Sequence, residues 1–397
     1  MLGLVVVTLG VMVVRARWLL EKSYASVAQP RIVADASVVG VQRGEMLFQS
    51  LCMECHGGSD GRASGKRLDE VPAFLGTFYA ANLAHPTLGV KQRSDGEIAR
   101  VLRFGVLPSG RLSVVMSSFG GLGDADVAAI IGYMRSGAPE FEAASIEQPR
   151  SSVSLLGATI LTYVAGIELN RPAVGVPVPP KAVSVEYGRY MARAMDCVGC
   201  HTEGFSSDKL QHPRAFAGGF ELTDPSGEKI FTKNITFDES TGIGRWSVDD
   251  FARAVTRGVT PQGYMVRKPM PLFSRLDTVD VAAIYRFLQT VPKVSRHNQP
   301  GGQPIRPARS EDRPAQLFVN VGCASCHGEK APHRDKIAPA LGKSDADVAS
   351  WILDPQVTKP GSIMPSFARS LSRAQAEGLA RYVKQLASER GAYLSGN

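Results

Sequence analysis

No cysteine in this 397-residue chain stands outside one recurring pattern. All six fall in three copies of Cys-x-x-Cys-His: Cys52-Met53-Glu54-Cys55-His56, Cys197-Val198-Gly199-Cys200-His201 and Cys323-Ala324-Ser325-Cys326-His327. With those pairs engaged, no thiol remains for a disulfide. Histidine is scarce too: only His85, His212, His297 and His333 lie outside the pattern. No dense run of Lys or Arg is present, which argues against nucleic acid as a partner. The formal charge of +8 is supplied mainly by Arg, 31 of the 45 basic residues. Such a surplus suits an acidic partner or anionic lipid, or a merely solvated surface.

What the chain does have is the attachment signal of c-type haem. Two thiols form thioethers to the porphyrin vinyl groups, and the adjacent His turns back to ligate iron. One helical turn brings both sulfurs and the imidazole to a single haem edge. Zinc or a redox dithiol can also use Cys-x-x-Cys. Structural zinc needs a second ligand pair for each first pair, and a redox dithiol has no need of three copies each followed by His. The expectation is three covalently bound haem c groups. Cys52, Cys55, Cys197, Cys200, Cys323 and Cys326 are the tethers, and His56, His201 and His327 the proximal ligands.

Length agrees with several small domains. The attachment sites lie 145 and 126 residues apart, room for one haem-sized helical domain plus a linker in each interval. Residues at Asn82 and Asn234 open an internal repeat. Ser94-Asp95-Gly96-Glu97-Ile98-Ala99-Arg100 aligns with Ser247-Val248-Asp249-Asp250-Phe251-Ala252-Arg253, Gly105 with Gly258, and Gly110 with Gly263. After one inserted residue Met116 matches Met270, Phe119 matches Phe273, and Asp126-Val127-Ala128-Ala129-Ile130 matches Asp280-Val281-Ala282-Ala283-Ile284. This is a duplicated domain. The third unit is shorter and more divergent.

The shared ending points to the second iron ligand. Iron in such cytochromes often takes His on one side and Met on the other. The candidates are Met116, Met270 and Met364, each with a Phe three residues on: Phe119, Phe273 and Phe367. An amphipathic helix follows each, with an aromatic at Tyr133, Phe287 and Tyr382 expected to cross the helix carrying the cysteines. Ser117 stands where Pro271 and Pro365 follow the other two methionines. Met265 is a runner-up to Met270, and His85 an alternative for the first haem. Met46, Met53, Met191 and Met195 read as core residues.

Pro-rich linkers are expected at 171–180 and 292–314. Residues 1–14 are apolar apart from Thr8, and Arg15 and Arg17 follow. They resemble a signal-peptide core without a positive n-region or clear cleavage site, or, with Trp18 to Leu20, a short anchor. Ser151 to Ile167 is uncharged and short for a span, so an interfacial or partner-packing helix is expected. The sequence thus predicts an all-α chain of three tandem class I-like cytochrome c domains behind an N-terminal hydrophobic helix. The boundaries are 1–30 for the anchor or signal, 31–147 for domain 1, 148–180 for the apolar segment and linker, 181–291 for domain 2, 292–314 for the second linker, and 315–397 for domain 3.

Asn234-Ile235-Thr236-Phe237-Asp238, Thr241-Gly242-Ile243-Gly244-Arg245-Trp246-Ser247 and Lys268-Pro269-Met270-Pro271 resemble the triple-haem cytochrome c subunits of membrane-bound periplasmic alcohol, aldehyde and gluconate dehydrogenases. Trp351-Ile352-Leu353-Asp354-Pro355 and Lys359-Pro360-Gly361-Ser362-Ile363-Met364-Pro365 are similar instead to single-haem cytochrome c domains of respiratory oxidases. The resemblance implies electron transfer on the periplasmic side of a bacterial membrane. The chain would be membrane-anchored or bound to a redox complex, a dehydrogenase or a quinol-oxidising or oxidase assembly. A haem peroxidase, needing an open iron position, is the remote alternative.

Overall fold

Helix boundaries in the repeat follow from capping chemistry that the sequence spells out twice. α4 (Asp95–Phe104) starts on Ser94 and α9 (Val248–Arg257) on Ser247. Each serine oxygen accepts the N–H three residues on, and Glu97 or Asp250 reaches back to the serine N–H, closing a capping box. Both helices stop at a glycine in the left-handed region, Gly105 at φ 65° and Gly258 at φ 68°. A side chain is strained there, so the paired glycines of the repeat are the stop signals.

The computed structural model describes residues 2–58, 60–68, 71, 73–116, 119–163, 175–204, 209–224, 229–298, 308–329, 331, 333–359, 362, 364, 366–368 and 370–394. The chain divides into two compact units, residues 1–199 with 204–215, and 200–203 with 216–397.

The first unit holds α1 (Leu2–Glu21), α2 (Val38–Leu51), α3 (Met53–His56), α4, α5 (Asp124–Arg135), α6 (Leu155–Tyr163) and α7 (Val185–Ala194). The α8 turn (Cys197–Cys200) follows at the unit boundary. α2 crosses α5 at Gly44, where a Cβ would collide with the carbonyl of Ala129. That close approach lets Phe48 of α2 meet Tyr133 of α5 at 5.7 Å between ring centroids and Phe141 at 4.9 Å. α7 joins them through a buried polar network. Arg43 donates two 2.8 Å bonds to the Asp126 carboxylate and a third, at 3.1 Å, to the Tyr187 hydroxyl. Tyr190 donates to the same carboxylate at 2.5 Å and accepts the Gly123 N–H at 2.9 Å. Burial, then the Asp126 charge, raises the Tyr190 phenol and keeps it a donor. α6 runs antiparallel to α1: Tyr163 donates to the Met12 carbonyl, and Arg17 to that of Val153. Of the 151–167 segment, residues 155–163 are helical, with Gly157 and Ala158 buried, and 164–167 lie outside the described residues.

The second unit holds α9, α10 (Thr278–Leu288), α11 (Pro314–Asn320), α12 (Cys323–His327), α13 (Asp345–Leu353), α14 (Pro355–Thr358) and α15 (Arg373–Leu394). Its core joins Leu317, Phe318, Val348, Ile352, Phe367 and Leu379 with Val259 and Met265, so residues that follow α9 pack into the last helices. Tyr382 of α15 meets Phe318 of α11 edge-on at 5.5 Å, the crossing expected from the sequence. Phe287 of α10 meets Phe216 edge-on at 5.8 Å.

The chain is mostly helical, with two small ladders that an all-α reading omits. β1 (Gly76–Thr77) pairs antiparallel with β2 (Ser152–Val153), and β3 (Glu221–Thr223) with β4 (Lys229–Phe231). The first joins segments far apart in sequence, where no local pattern signals pairing. In the second, alternation over three residues is too short to read as a strand. Among the described residues no helix is long and apolar enough to cross a membrane. Residues 299–307 of the second linker and Pro172 of the first lie outside the described residues. Replacing Gly44 with Val should push α2 off α5 and destabilise the first unit by roughly 1–3 kcal/mol, read as a lower denaturation midpoint of the purified protein.

Candidate functional site

Each Cys-x-x-Cys-His motif lies on a single helical turn. Cys52 follows α2 directly and α3 carries Cys55 and His56, α8 spans Cys197–Cys200, and α12 spans Cys323–His327. Cys52 is buried and the other five are partly so. Burial, with the second thiol nearby, pushes the Cys52 and Cys323 thiols up to about 12. A reactive dithiol or a zinc thiolate calls for the opposite shift. A thioether carries no charge, so the same burial costs it nothing.

The three histidines share one contact. His56 Nδ1 lies 2.9 Å from the Ala81 carbonyl, His201 Nδ1 2.7 Å from that of Lys233, and His327 Nδ1 2.7 Å from that of His333. A carbonyl can only accept, so Nδ1 carries the proton and Nε2 keeps its lone pair. That is the tautomer an iron ligand needs, with its second nitrogen tied down to fix the ring. Desolvation lowers all three imidazoles, which keeps them neutral. The donor set therefore fits haem c.

The accepting carbonyls are themselves anchored. Asn82 follows Ala81, and its buried amide donates to the carbonyls of Ala144 and Ile146 at 2.7 and 2.8 Å and accepts the Ala84 N–H at 2.9 Å. Asn234 follows Lys233 and does the same with Val294, at 2.7 Å, Thr241 and Thr236. The asparagine that opens each repeat thus ties the histidine's acceptor to the segment after the last helix. In the third motif His333 supplies the acceptor, and its own N–H returns to the Cys326 carbonyl at 2.9 Å. The repeat marked the two asparagines in the sequence, but nothing there assigned them to the histidines.

The three methionine loops are latched alike. Phe119 N–H donates to the Leu102 carbonyl at 2.7 Å, Phe273 N–H to Val255 at 2.9 Å, and Phe367 N–H to Leu353 at 3.0 Å. Each bond fastens the loop, three residues after the methionine, to the last turn of α4, α9 or α13. Met116, Met270 and Met364 are all partly buried. Ser117 and Pro365 lie outside the described residues. Met265 is 7% exposed and packs in the apolar core of the second unit, a structural role. The His85 ring accepts the backbone N–H groups of Thr87 and Leu88 at 3.2 and 3.1 Å, a turn-closing contact. Near His201, burial and the neighbouring Arg267 push the Lys233 ammonium down.

Comparison with known proteins agrees with this geometry. The profile of the family described as cytochrome C oxidase, cbb3-type, subunit III, matches residues 40–134 and 309–383. The gluconate 2-dehydrogenase cytochrome c subunit of Pantoea cypripedii is 31% identical over 42% of this chain and 44% of its own length. The cytochrome c subunit of the quinone alcohol dehydrogenase of Gluconobacter oxydans (strain 621H) is 37% identical over 26% of this chain and 20% of its own. The fructose dehydrogenase cytochrome subunit of Gluconobacter japonicus is 32% identical over 35% of this chain and 28% of its own. The chain therefore spans less than half the length of each of these relatives. The oxidase profile matches the first motif as well as the third, where the sequence likeness was noted only for the third. Motif, geometry and relatives alike imply covalent haem c, and the chain is similar to the cytochrome c subunits of gluconate, alcohol and fructose dehydrogenases.

Proposed function

We propose that the chain binds three haem c groups and relays single electrons from a catalytic dehydrogenase, with which it forms a membrane-associated complex, toward quinone or another carrier. The observation that carries this reading is the threefold recurrence of a histidine held by a carbonyl at Nδ1. Haem c supplies the ferric–ferrous couple. Cys52, Cys55, Cys197, Cys200, Cys323 and Cys326 tether it. His56, His201 and His327 would hold its iron through Nε2, and Met116, Met270 and Met364 through a thioether. A thioether is soft and neutral, so it favours ferrous iron and raises the potential. The domain division at 31–147, 181–291 and 315–397 assigns one haem to each part.

Covalent haem attachment takes place outside the bacterial cytoplasmic membrane, so the domains belong on its periplasmic side. α1 supports contact with that membrane. Val7, Val11, Val14 and Trp18 recur at helical spacing and are 62, 61, 70 and 57% exposed. The Lys22 ammonium lies 5.1 Å from the Trp18 ring centroid, so a cation and an amphipathic aromatic share one end of the apolar stripe. A second reading, a subunit of a respiratory quinol-oxidising or oxidase complex, is favoured by the oxidase profile at residues 309–383.

Isolation of the native complex in mild detergent tests the choice. A large quinoprotein or flavoprotein subunit co-purifying with covalent haem supports the dehydrogenase reading; multi-span oxidase subunits support the other. Intact mass should exceed the polypeptide by three haems. Met270→Ala should remove the weak far-red sulfur-to-iron band of one haem and lower its potential, and an unchanged band means another residue ligates that iron. Carbon monoxide should not bind the reduced wild type, since binding would reveal the open iron of a peroxidase. Replacing Val11 and Val14 together with Glu should move the protein from the membrane pellet to the salt-wash supernatant.

A further inference from the structure

The third methionine has an indole N–H beside its sulfur. The Trp351 indole Nε1 lies 3.2 Å from Met364 Sδ, within hydrogen-bonding reach of a thioether. Indole nitrogen is a donor only, so the bond runs from Trp351 to the sulfur. Its geometry is set by backbone contacts. Phe367 and Ala368 N–H groups donate to the Leu353 carbonyl at 3.0 and 2.9 Å, and the Ser366 hydroxyl donates to it at 2.7 Å. Ser362 Oγ accepts the Met364 N–H at 3.2 Å. The loop is therefore fastened on both sides of the sulfur, and Ile352, next to Trp351, is buried in the core.

The equivalent positions are read from the capping serines. Trp351 is the seventh residue after Ser344, as Val101 is after Ser94 and Ala254 after Ser247. Valine and alanine carry no side-chain donor. The duplicated units thus leave this position apolar, and the divergent unit fills it with an N–H aimed at the thioether.

We infer that Trp351 is a positioning residue that raises the potential of the third haem by hydrogen bonding to its axial sulfur. The inference rests on Met364 being that ligand. Thioether sulfur has two lone pairs. With one directed to iron, the other accepts the indole proton, and the donation draws electron density from the sulfur. A poorer donor stabilises ferric iron less, so the ferrous state gains. The same bond holds the sulfur in one orientation.

The experiment uses the full-length haem-loaded protein and two variants. A spectroelectrochemical titration gives its haem potentials, and Met364→Ala identifies the third by removing one sulfur-to-iron band and displacing one potential. Trp351→Phe keeps an aromatic ring and deletes the N–H. The expected result is a fall in that same potential, with the band retained and the other potentials unmoved. A third potential unchanged in Trp351→Phe overturns the inference while leaving Met364 as ligand. An intact set of bands in Met364→Ala overturns the ligand assignment itself, and the inference with it. If the Phe variant loses its third haem, ¹⁵N-tryptophan spectra of the reduced wild type decide. One indole N–H shifted by haem and slow to exchange supports the bond, and three freely exchanging indoles overturn it.

Discussion

The hydrogen bond that each attachment histidine donates from Nδ1 to a backbone carbonyl is the constraint on which the rest of the site depends. A motif of five residues can bring two sulfurs and a ring together, but it cannot fix the ring's rotation or its tautomer. The carbonyls of Ala81, Lys233 and His333 do both. A carbonyl must itself be held to act as an orienting group. In the first two motifs Asn82 and Asn234 hold it, each donating from its amide to a carbonyl 62 or 60 residues away. An unmade bond on a buried amide costs about 1–3 kcal/mol, so these asparagines fasten haem ligation to the closing segment of each domain.

Much of this was legible in the sequence because its causes are local. Ser94 with Glu97 and Ser247 with Asp250 read as helix starts, and Gly105 and Gly258 as stops, since capping needs only neighbours in the chain. Tyr133 and Tyr382 were readable as crossing aromatics because helical spacing puts them on the inward face. What stayed hidden depends on contacts between distant segments. Arg43 finds Asp126 and Tyr187 across 83 and 144 residues, and β1 finds β2 across a gap like the first. The Phe287–Phe216 ring contact is of the same kind, since Phe216 sits in a positive-φ turn that no local pattern marks.

The Arg43 network also ties α7 to α2 and α5 within the first unit. Its centre, Asp126, begins α5, while Tyr187 and Tyr190 lie on the helix that leads to Cys197. A bidentate arginine–carboxylate pair is directional, and here Oδ2 also accepts the Tyr190 hydroxyl. Such a cluster fixes an angle as well as a contact. It holds α7 on α2 and α5 through side chains alone.

The same logic separates the third unit from the duplicated pair. Val259 and Met265, which follow α9, are buried among Leu317, Phe318 and Leu379, so the last helices complete a core begun earlier in the chain. Duplication preserved the histidine acceptor, its asparagine and the phenylalanine latch in the first two units. The third keeps the histidine and the latch but replaces the asparagine by a short return from His333 to Cys326. It is free to differ at Trp351 because that position faces the methionine, whereas the neighbouring Ile352 serves the core. A scaffold that fixes ligand type by repetition can vary electron affinity by changing what touches the ligand. Three copies of one motif need not hold three groups of one potential.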